Sequence, residues 1–260
     1  MMSKRFPVIA VFIAACLLGA PLKTSAMAIA NSSLDFKNLS ITPAAGVISL
    51  DGPWFLQAFA HADNSLGQID ENFTPGSSPG TVSASAAVTW ASATGTASAL
   101  NGVPDLVVTG SAQSDVNLPG PGAAAAFGKS RSTLFNFFTL SDSGNVQFEI
   151  DIAGLLNVMT DAFGLFAQTE TVFTLEVDGT PILFQNDLLS IGPSDSATQA
   201  ISTRLSNTVT LDAGSHFLLL EIDSESAGAV PEPPVGLLLI TGLAALVAAR
   251  RRPIMARLEA

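Results

Sequence analysis

The amino-acid sequence predicts an all-β fold, a single β-sandwich of jelly-roll type flanked by an N-terminal signal helix and a short C-terminal transmembrane helix. Between the two ends, apolar and polar residues alternate in many short runs, as they do in strands that bury one face. Clusters of Gly, Pro, Asn, Asp and Ser separate these runs, and no convincing run repeats with the helical period. Two packed sheets accommodate many short strands of this kind.

The clearest strands lie in the second half of the chain. Residues 148–152 and 173–177 alternate strictly between apolar and polar side chains. Asp178-Gly179 joins the second run to residues 180–184, and this dipeptide favours the type I′ turn of a tight hairpin. The other candidate strands are residues 37–42, 47–50, 54–62, 81–100 (as two strands), 105–110, 134–140, 208–211 and 217–222.

Four stretches have weaker patterns. Residues 153–166 fit either a pair of strands or a short helix. Residues 64–80 and 114–128 are rich in Gly, Pro and Ser and are predicted to be long loops. Residues 123–126 are low in complexity and receive no assignment.

The charge distribution excludes one class of function. Only four Lys and Arg lie between residues 35 and 225, against twenty Asp and Glu. No basic patch is available to neutralise phosphates, so we expect no nucleic-acid binding, and binding to anionic lipid is disfavoured.

Cys16 is the only cysteine, and it lies in the predicted signal segment. The body therefore has no disulfide, thiolate nucleophile or zinc–sulfur site.

The N-terminus has the parts of a secretory signal peptide. Lys4 and Arg5 form a positive start, and residues 6–20 are predominantly apolar. A short polar stretch follows, at residues 23–25, and leads into small residues. The chain is therefore predicted to be exported.

Two overlapping A-x-A patterns mark the cleavage region, one from Ala26 to Ala28 and one from Ala28 to Ala30. We place the cleavage after Ala28, so that residues 1–28 form the signal peptide. Two alternatives stay open: the segment is retained as a signal anchor, or Cys16 is lipidated in a lipoprotein-like box.

The C-terminal tail, residues 230–253, contains a proline–glutamate motif, an apolar run and a basic cluster: Val230, Pro231, Glu232 and Pro233; residues 235–249; and Arg250, Arg251 and Arg252. Fifteen helical residues span only about 22 Å, less than the hydrocarbon core of a bilayer. The flanks nevertheless favour a membrane segment over a core helix. Prolines block the helix upstream, and arginines anchor its end at the cytoplasmic surface.

This order of parts resembles the PEP-CTERM sorting domain of Gram-negative bacteria, many of which produce exopolysaccharide. The resemblance covers about the last thirty residues, through Val230-Pro231-Glu232-Pro233, the short span and the arginine cluster. It implies that signal peptidase and an exosortase process the chain, the latter near the Pro-Glu-Pro motif. It also implies a transient inner-membrane anchor, followed by release to the outer surface or attachment there.

The body carries few candidates for catalysis. His61 and His216 fall in strand-like stretches, where partly exposed histidines are ordinary, and no nucleophile elbow, zinc-protease or phosphate-loop motif occurs. Paired carboxylates on one strand face suit a glycosidase as well as a solvated surface: Glu149 with Asp151, and Glu170 with Glu176. We predict that the protein is not an enzyme.

Calcium is a more credible ligand than a catalytic substrate, because hard cations take oxygen ligands from loops. Asp63, Asp70 and Glu71 are candidates around the first predicted loop, and Asp187 and Asp195 around a later one. No EF-hand spacing accompanies them, so no cofactor is assigned.

Two functions remain in view. The first is a structural or interaction protein of the cell surface or extracellular matrix, associated with exopolysaccharide or biofilm. The second is a carbohydrate-binding module or a weakly marked glycan hydrolase, with or without calcium. A sugar-binding face usually presents aromatic platforms, and Trp54 and Trp90 are the only tryptophans available for them.

Overall fold

The computed structural model describes residues 26–100, 107–119 and 124–231, which form thirteen β-strands. In chain order the strands are β1 (Ala28–Pro43), β2 (Ile48–Leu50), β3 (Phe55–Asn64), β4 (Ile69–Ser77), β5 (Gly80–Val88), β6 (Ala91–Leu100), β7 (Val107–Leu118), β8 (Ala125–Leu140), β9 (Gly144–Thr160), β10 (Phe166–Val177), β11 (Thr180–Ile191), β12 (Ser196–Leu211) and β13 (Gly214–Ala229). Within these ranges no helix is long and apolar enough to cross a membrane. The predicted signal helix and transmembrane helix lie outside the described residues.

The strands form two antiparallel sheets. Sheet A has the order β12-β9-β1-β7-β6-β5, and sheet B has the order β11-β10-β13-β8-β3-β4, with β2 paired beside β8. Residues that alternate along the strands fill the space between the sheets, which holds one hydrophobic core. The prediction of an all-β sandwich is confirmed.

The last six strands pair in a nested pattern. β10 and β11 form a hairpin, β9 pairs with β12 in sheet A, and β8 pairs with β13 in sheet B. Two antiparallel arms of three strands each therefore fold over together, with successive strands of each arm in opposite sheets. At the tip, Asp178 and Gly179 have φ of 52° and 75°, so the predicted type I′ geometry is confirmed.

Several predicted boundaries were wrong. The stretch 64–80, predicted to be a loop, contains β4, whose position at the edge of sheet B leaves most of its residues exposed and hides the alternation. The stretch 114–128, also predicted to be a loop, contains the end of β7 and the start of β8. Small buried residues there, such as Ser114 and Ala126, give no apolar signal. Residues 153–166 form strands on both sides of a turn, as one of the two alternatives predicted.

The core differs in thickness between its two halves. Large side chains fill one half, among them Phe36, Phe138, Phe148 and Phe173, all at most 1% exposed. In the other half, β3, β5 and β6 bury mainly alanines. Small side chains let two backbones approach closely, so the sheets converge in this half.

Gly95 on β6 marks the closest approach. A Cβ added there would lie 2.7 Å from the carbonyl oxygen of Phe59 and closer still to that of Arg131, both on sheet B. Gly128 on β8 is placed similarly, with its added Cβ 2.8 Å from the carbonyl oxygen of Ser92 on β6. Backbone packs directly against backbone at these two points.

Buried hydroxyls link the two sheets between these halves. Ser32 on β1 contacts Ser114 on β7 at 2.9 Å and Ser224 on β13 at 2.6 Å, oxygen to oxygen. Ser226 on β13 donates to the carbonyl of Ser114 at 3.0 Å, which adds a second bond between the sheets. Buried polar groups stabilise a fold only when they are paired, and these serines pair with one another across the core.

The close approach predicts a large cost for one added methyl group. Gly95→Ala should lower the free energy of unfolding by about 1–3 kcal/mol, because neither neighbouring carbonyl can move without shifting a central strand. Gly144→Ala is the matched control, since an added Cβ there meets nothing within 4 Å. Urea unfolding of both variants measures the difference. Equal midpoints for the two variants would contradict the close approach.

Candidate binding groove on sheet A

The outer face of sheet A carries two depressions. The first has a volume of about 520 Å³, and its polar lining consists of Asp35, Lys37, Asp151, Ser202, Thr203 and Arg204. The second has a volume of about 300 Å³, and its polar lining includes Asn31, Ser33, Gln113, Asp115, Asn157 and Thr198. They follow one another along β12, β9 and β1, so we treat them together as the sheet A groove.

Strand register brings these side chains together. Arg204 on β12 lies opposite Asp151 on β9, and Asp151 lies opposite Lys37 on β1. The same register repeats two residues further on, where Ser202 and Asp35 flank Ala153. Alternate residues of each strand are buried in the core, so their neighbours project polar groups into the groove.

A β-bulge in β1 shapes one end of the groove. The pairing of β1 with β9 shifts between Lys37 and Ser40, and Asn38 within this bulge has φ of 58°. The bulge turns the Asn38 amide toward Asp151, to which Nδ2 donates at 2.8 Å. Bulges commonly re-aim side chains in this way.

Arg204 is held by two carboxylates of β9. It forms an ion pair with Glu149, and its Nε lies 4.0 Å from Oδ1 of Asp151. The hydrogen bond and charge of Glu149 raise the pKa of Arg204 above its ordinary value, so the guanidinium stays charged. Glu149 and Asp151, predicted as a possible catalytic pair, therefore share one cation.

Two charged groups of the groove are free to meet a ligand. Asp35 and Lys37 are both exposed, and in the described part of the chain their side chains form no hydrogen bond or ion pair. They alternate with the buried Phe36 on β1, so a rigid central strand fixes their spacing. Together they offer an acceptor and a donor to one bound molecule.

The second depression has a half-buried acid. Burial raises the pKa of Asp115, and a hydrogen bond from Gln113, with Nε2 to Oδ2 at 2.9 Å, opposes that rise. Across the depression, the Thr198 hydroxyl donates to Oδ1 of Asn157 at 2.9 Å. The whole groove thus combines carboxylate, amide, hydroxyl and cationic groups.

The other predicted carboxylate pair lies elsewhere. Glu170 and Glu176 are on β10 in sheet B, where their neighbours on β13 are Glu225 and Leu219. The same outer face carries Arg131, which donates from Nε to Oδ1 of Asp223 at 2.7 Å. The structure does not bring this pair to the groove.

The predicted calcium ligands are engaged by the protein itself. Oδ2 of Asp63 and Oε2 of Glu71 lie 3.2 Å and 3.4 Å from the two ring nitrogens of His61. Asp70 accepts the amide of Ala87 at 2.9 Å. Over residues 26–100, 107–119 and 124–231, no three His, Cys, Asp or Glu converge as metal ligands would. Calcium binding stays a prediction.

The later acidic pair is engaged in the same manner. Asp187 accepts hydrogen bonds from Gln185 at 2.6 Å and Gln199 at 2.7 Å. Asp195 accepts the amide of Ser196 at 2.8 Å.

The tryptophans do not supply exposed platforms in the described fold. Trp54 is only 3% exposed and belongs to the core, so a role for it in sugar stacking is wrong. Trp90 is half-buried against the core, with φ of 80°. The exposed Phe55 lies instead on the outer face of sheet B, where it stacks on the half-buried Phe135 with centroids 4.9 Å apart.

The described residues include part of both predicted processing regions. Ala26 and Ala28 are buried, and Ala28 is the first residue of β1. Val230 is buried and donates its amide to the carbonyl of Ala124 at 2.9 Å, and the exposed Pro231 ends the described chain. Glu232, Pro233, Arg250, Arg251 and Arg252 lie outside the described residues.

His216 on β13 contacts the turn of the β10–β11 hairpin. Its Nδ1 lies 2.7 Å from Oδ2 of Asp178, and its Nε2 lies 2.8 Å from the carbonyl oxygen of Asp212. Burial lowers the pKa of His216, but the hydrogen bonds and charges of Asp178 and Asp212 together raise it above its ordinary value. With acceptors at both ring nitrogens, the imidazolium is the form that fits this site.

Comparisons of the chain with protein-family models, with characterised proteins and with solved structures find no match. The assignment of a function therefore rests on the chemistry of the groove and on the sequences of the two ends of the chain.

Most groove residues escaped prediction because β1 was predicted too short. The prediction started this strand at residue 37, whereas it begins at Ala28. Asn31, Ser33 and Asp35 alternate with buried residues, and that period of two was the available signal. The small size of the buried Ala30 and Ser32, next to the predicted signal peptide, hid it.

The His216 contacts predict a pH-dependent stability. A raised pKa means that the stabilisation is present below the ordinary histidine pKa of about 6.5 and is lost as pH rises through the folded value. Burial raises the pKa of Asp178, but bonds from His216 and the Phe217 amide and the His216 charge lower it overall. The stabilisation that the Asp178 carboxylate contributes is present above the ordinary Asp pKa of 3.8. It is lost as pH falls through the pKa of Asp178 in the folded protein.

We therefore expect the melting temperature of the wild type to exceed that of His216→Gln most clearly between about pH 4 and about pH 6.5. The difference should shrink at higher pH, which thermal unfolding followed by circular dichroism would measure. In the Asp178→Asn variant, the melting temperature should depend less on the protonation of His216. A difference between wild type and His216→Gln that stays constant from pH 5 to pH 9 would contradict the imidazolium contacts.

Proposed function

We propose that this chain is an exported, exosortase-processed protein of the cell surface or extracellular matrix that associates with exopolysaccharide through the sheet A groove and carries out no catalysis. Its leader-like N-terminus and its PEP-CTERM-like tail support export and processing. The sequence leaves two functions open, an interaction protein and a carbohydrate-binding module. A groove that binds exopolysaccharide would combine them, because sugar binding would then be the interaction.

The observation that carries the proposal is the set of polar groups in the groove. Asp35 and Lys37 are exposed and uncommitted, while Asn31, Gln113 and Asn157 add side-chain amides along the same face. Sugar hydroxyls both donate and accept hydrogen bonds, so a chain of sugars matches a row of mixed donors and acceptors. The groove extends over several residues of β1, which suits a polymer better than a single small molecule.

The charge balance favours a neutral or weakly charged glycan. Asp35, Asp151 and Asp115 in the groove outnumber Lys37 and Arg204, and Arg204 is already paired with Glu149. A strongly anionic polysaccharide would meet uncompensated carboxylates, which repel it.

The nested pairing of β8 to β13 supports the finer assignment to the jelly-roll type, since that fold rolls paired antiparallel strands into two sheets. Lectin domains are among the proteins built in this way. The assignment fits a binding role without requiring a catalytic site.

Substitution of Asp35 tests the groove. Asp35→Asn should weaken binding of the full chain to exopolysaccharide purified from the host by about tenfold, because a charged acceptor of hydrogen bonds is lost. Glu170→Gln makes the same change of charge on the outer face of sheet B and is the control. Isothermal titration or co-sedimentation with the polysaccharide measures the affinity. Equal affinities for the two variants, or no saturable binding by the wild type, would refute the groove as the site.

Mass spectrometry of the secreted protein tests processing. The expected mature chain begins at Ile29 and ends near the Pro-Glu-Pro motif, so that residues 235–252 are lost with the rest of the tail. A Pro231→Ala, Glu232→Ala double variant should remain in the membrane fraction with its tail intact, whereas Glu259→Ala, outside the motif, should behave as the wild type. Recovery of the full chain from the cytosol, with both ends intact, would exclude this route.

A further inference from the structure

Apart from the three-residue β2, each sheet of the sandwich has two edge strands, and an edge strand exposes unpaired backbone amides and carbonyls. Three of the four edges are interrupted by the protein's own residues. β4 contains Pro75, the Ala87 amide at the edge of β5 is bonded to Asp70, and the Ile182 carbonyl on β11 accepts from Asn207. These features oppose the addition of another strand.

The fourth edge, β12, is long and regular. It pairs with β9 over its full length, Ser196–Leu211, without a register shift. It contains no Gly or Pro, and Arg204 is its only charged residue. Arg204 does not shield the edge, because it forms ion pairs with Glu149 and Asp151 on its own sheet.

The direction of the backbone groups of β12 follows from contacts at its two ends. The carbonyl of Asp195, just before β12, accepts the amide of Thr160, the last residue of β9, so the backbone groups of odd-numbered β12 residues face β9. The amides of Ser196 and Thr208 instead donate to acceptors outside the ladder, Oδ1 of Asp195 and Oδ1 of Asn207, at 2.8 Å each. Ladder bonds alternate along an antiparallel strand, so even-numbered residues point away from the sheet.

The free stretch lies between these two capped amides. The outward backbone groups belong to Thr198, Ala200, Ser202, Arg204 and Ser206, and among the described residues they have no partner. Ser202 is at the centre of this stretch. The stretch is therefore symmetric about one residue, which is the property that a twofold contact between identical strands requires.

We propose that β12 is a self-association edge, at which β12 of a second copy adds antiparallel to sheet A about a twofold axis at Ser202. In this register Ser202 faces Ser202 of the partner subunit, and Arg204 faces Ala200 of the partner subunit. The arginines are thus kept apart, and every outward amide between Thr198 and Ser206 meets an outward carbonyl.

Side chains on both faces are compatible with this pairing. On the outer face the strand presents Ser, Thr and Ala, and directly opposed Ser and Thr residues interact favourably across strands. On the inner face the pairing would cover the half-buried Leu205. Since the only charge on the edge is already paired, a second copy fits it better than a strongly charged partner does.

Disulfide trapping tests both the partner and the register. In a full chain carrying Cys16→Ser, Ser202→Cys should form a disulfide-linked dimer under mild oxidation. Directly hydrogen-bonded residues in such a pair have Cα atoms about 5.5 Å apart, within the range of a disulfide. Thr208→Cys is the matched control, also exposed on β12. Its sulfur atoms in the two copies would be separated by roughly 40 Å, so it should not cross-link.

A mixed experiment fixes the register. Thr198→Cys and Ser206→Cys should each remain largely unlinked when alone and should form a heterodimer when combined, because these two positions face each other in the proposed pairing. Equal cross-linking of Ser202→Cys and Thr208→Cys would overturn the proposal. So would capture of a different protein at Ser202→Cys with no homodimer.

A backbone variant provides an independent test. Ser202→Pro removes an amide that is not bonded to β9, so it spares the intramolecular ladder while it removes two bonds of the twofold contact. We expect the dimer dissociation constant to rise about 30-fold, measured by sedimentation equilibrium. Ser202→Lys opposes two like charges and should weaken the dimer in the same direction even where the proline disturbs the strand. Unchanged association in Ser202→Lys, with the melting temperature retained, would refute the edge.

Discussion

The close approach of the two sheets through alanine, glycine and serine is the constraint on which the rest of the structure depends. Where Gly95 and Gly128 face opposite carbonyls, no side chain separates the sheets. The hydroxyls of Ser32, Ser114 and Ser224 then bond from sheet to sheet, a contact that larger side chains would prevent. Ser130 and Thr171 flank Ser224 in the register, and their buried hydroxyls have no partner among the described residues. The tight half of the core therefore combines dense packing with a polar centre.

The groove and the free edge are two consequences of the same long strands. β1 and β9 each run for sixteen residues or more, so one face of sheet A offers a continuous row of polar side chains. β12 follows β9 over its full length and ends the sheet with unpaired backbone groups. The outward side chains of β12, such as Thr198 and Arg204, line the groove, and their backbone groups form the edge. Association at β12 would place the grooves of two copies side by side, which lengthens the surface available to a polymer.

Sequence reasoning succeeded where the residue types of a segment reflect its burial or its turn geometry, and it failed where they do not. The alternation of Phe148, Ile150 and Ile152 identified β9, and Asp178-Gly179 identified a turn whose φ values only certain residues adopt readily. β4 was missed because an exposed edge strand has no buried face to create a pattern. The groove was missed because it depends on register between strands far apart in the chain, and because small buried residues such as Ala30 resemble those of a loop. No local pattern encodes which carboxylate Arg204 will meet.

The scarcity of cations gives the described fold a particular relation to its medium. Of the four Lys and Arg between residues 35 and 225, three are committed to ion pairs: Lys129 with Glu225, Arg131 with Asp223, and Arg204 with Glu149. Lys37 is the one further cation in this range, so most of the remaining carboxylates repel one another without a paired cation. Dissolved ions screen such repulsion over about 10 Å at moderate ionic strength. The folded body is therefore a polyanion whose stability should rise with salt concentration and fall at low ionic strength.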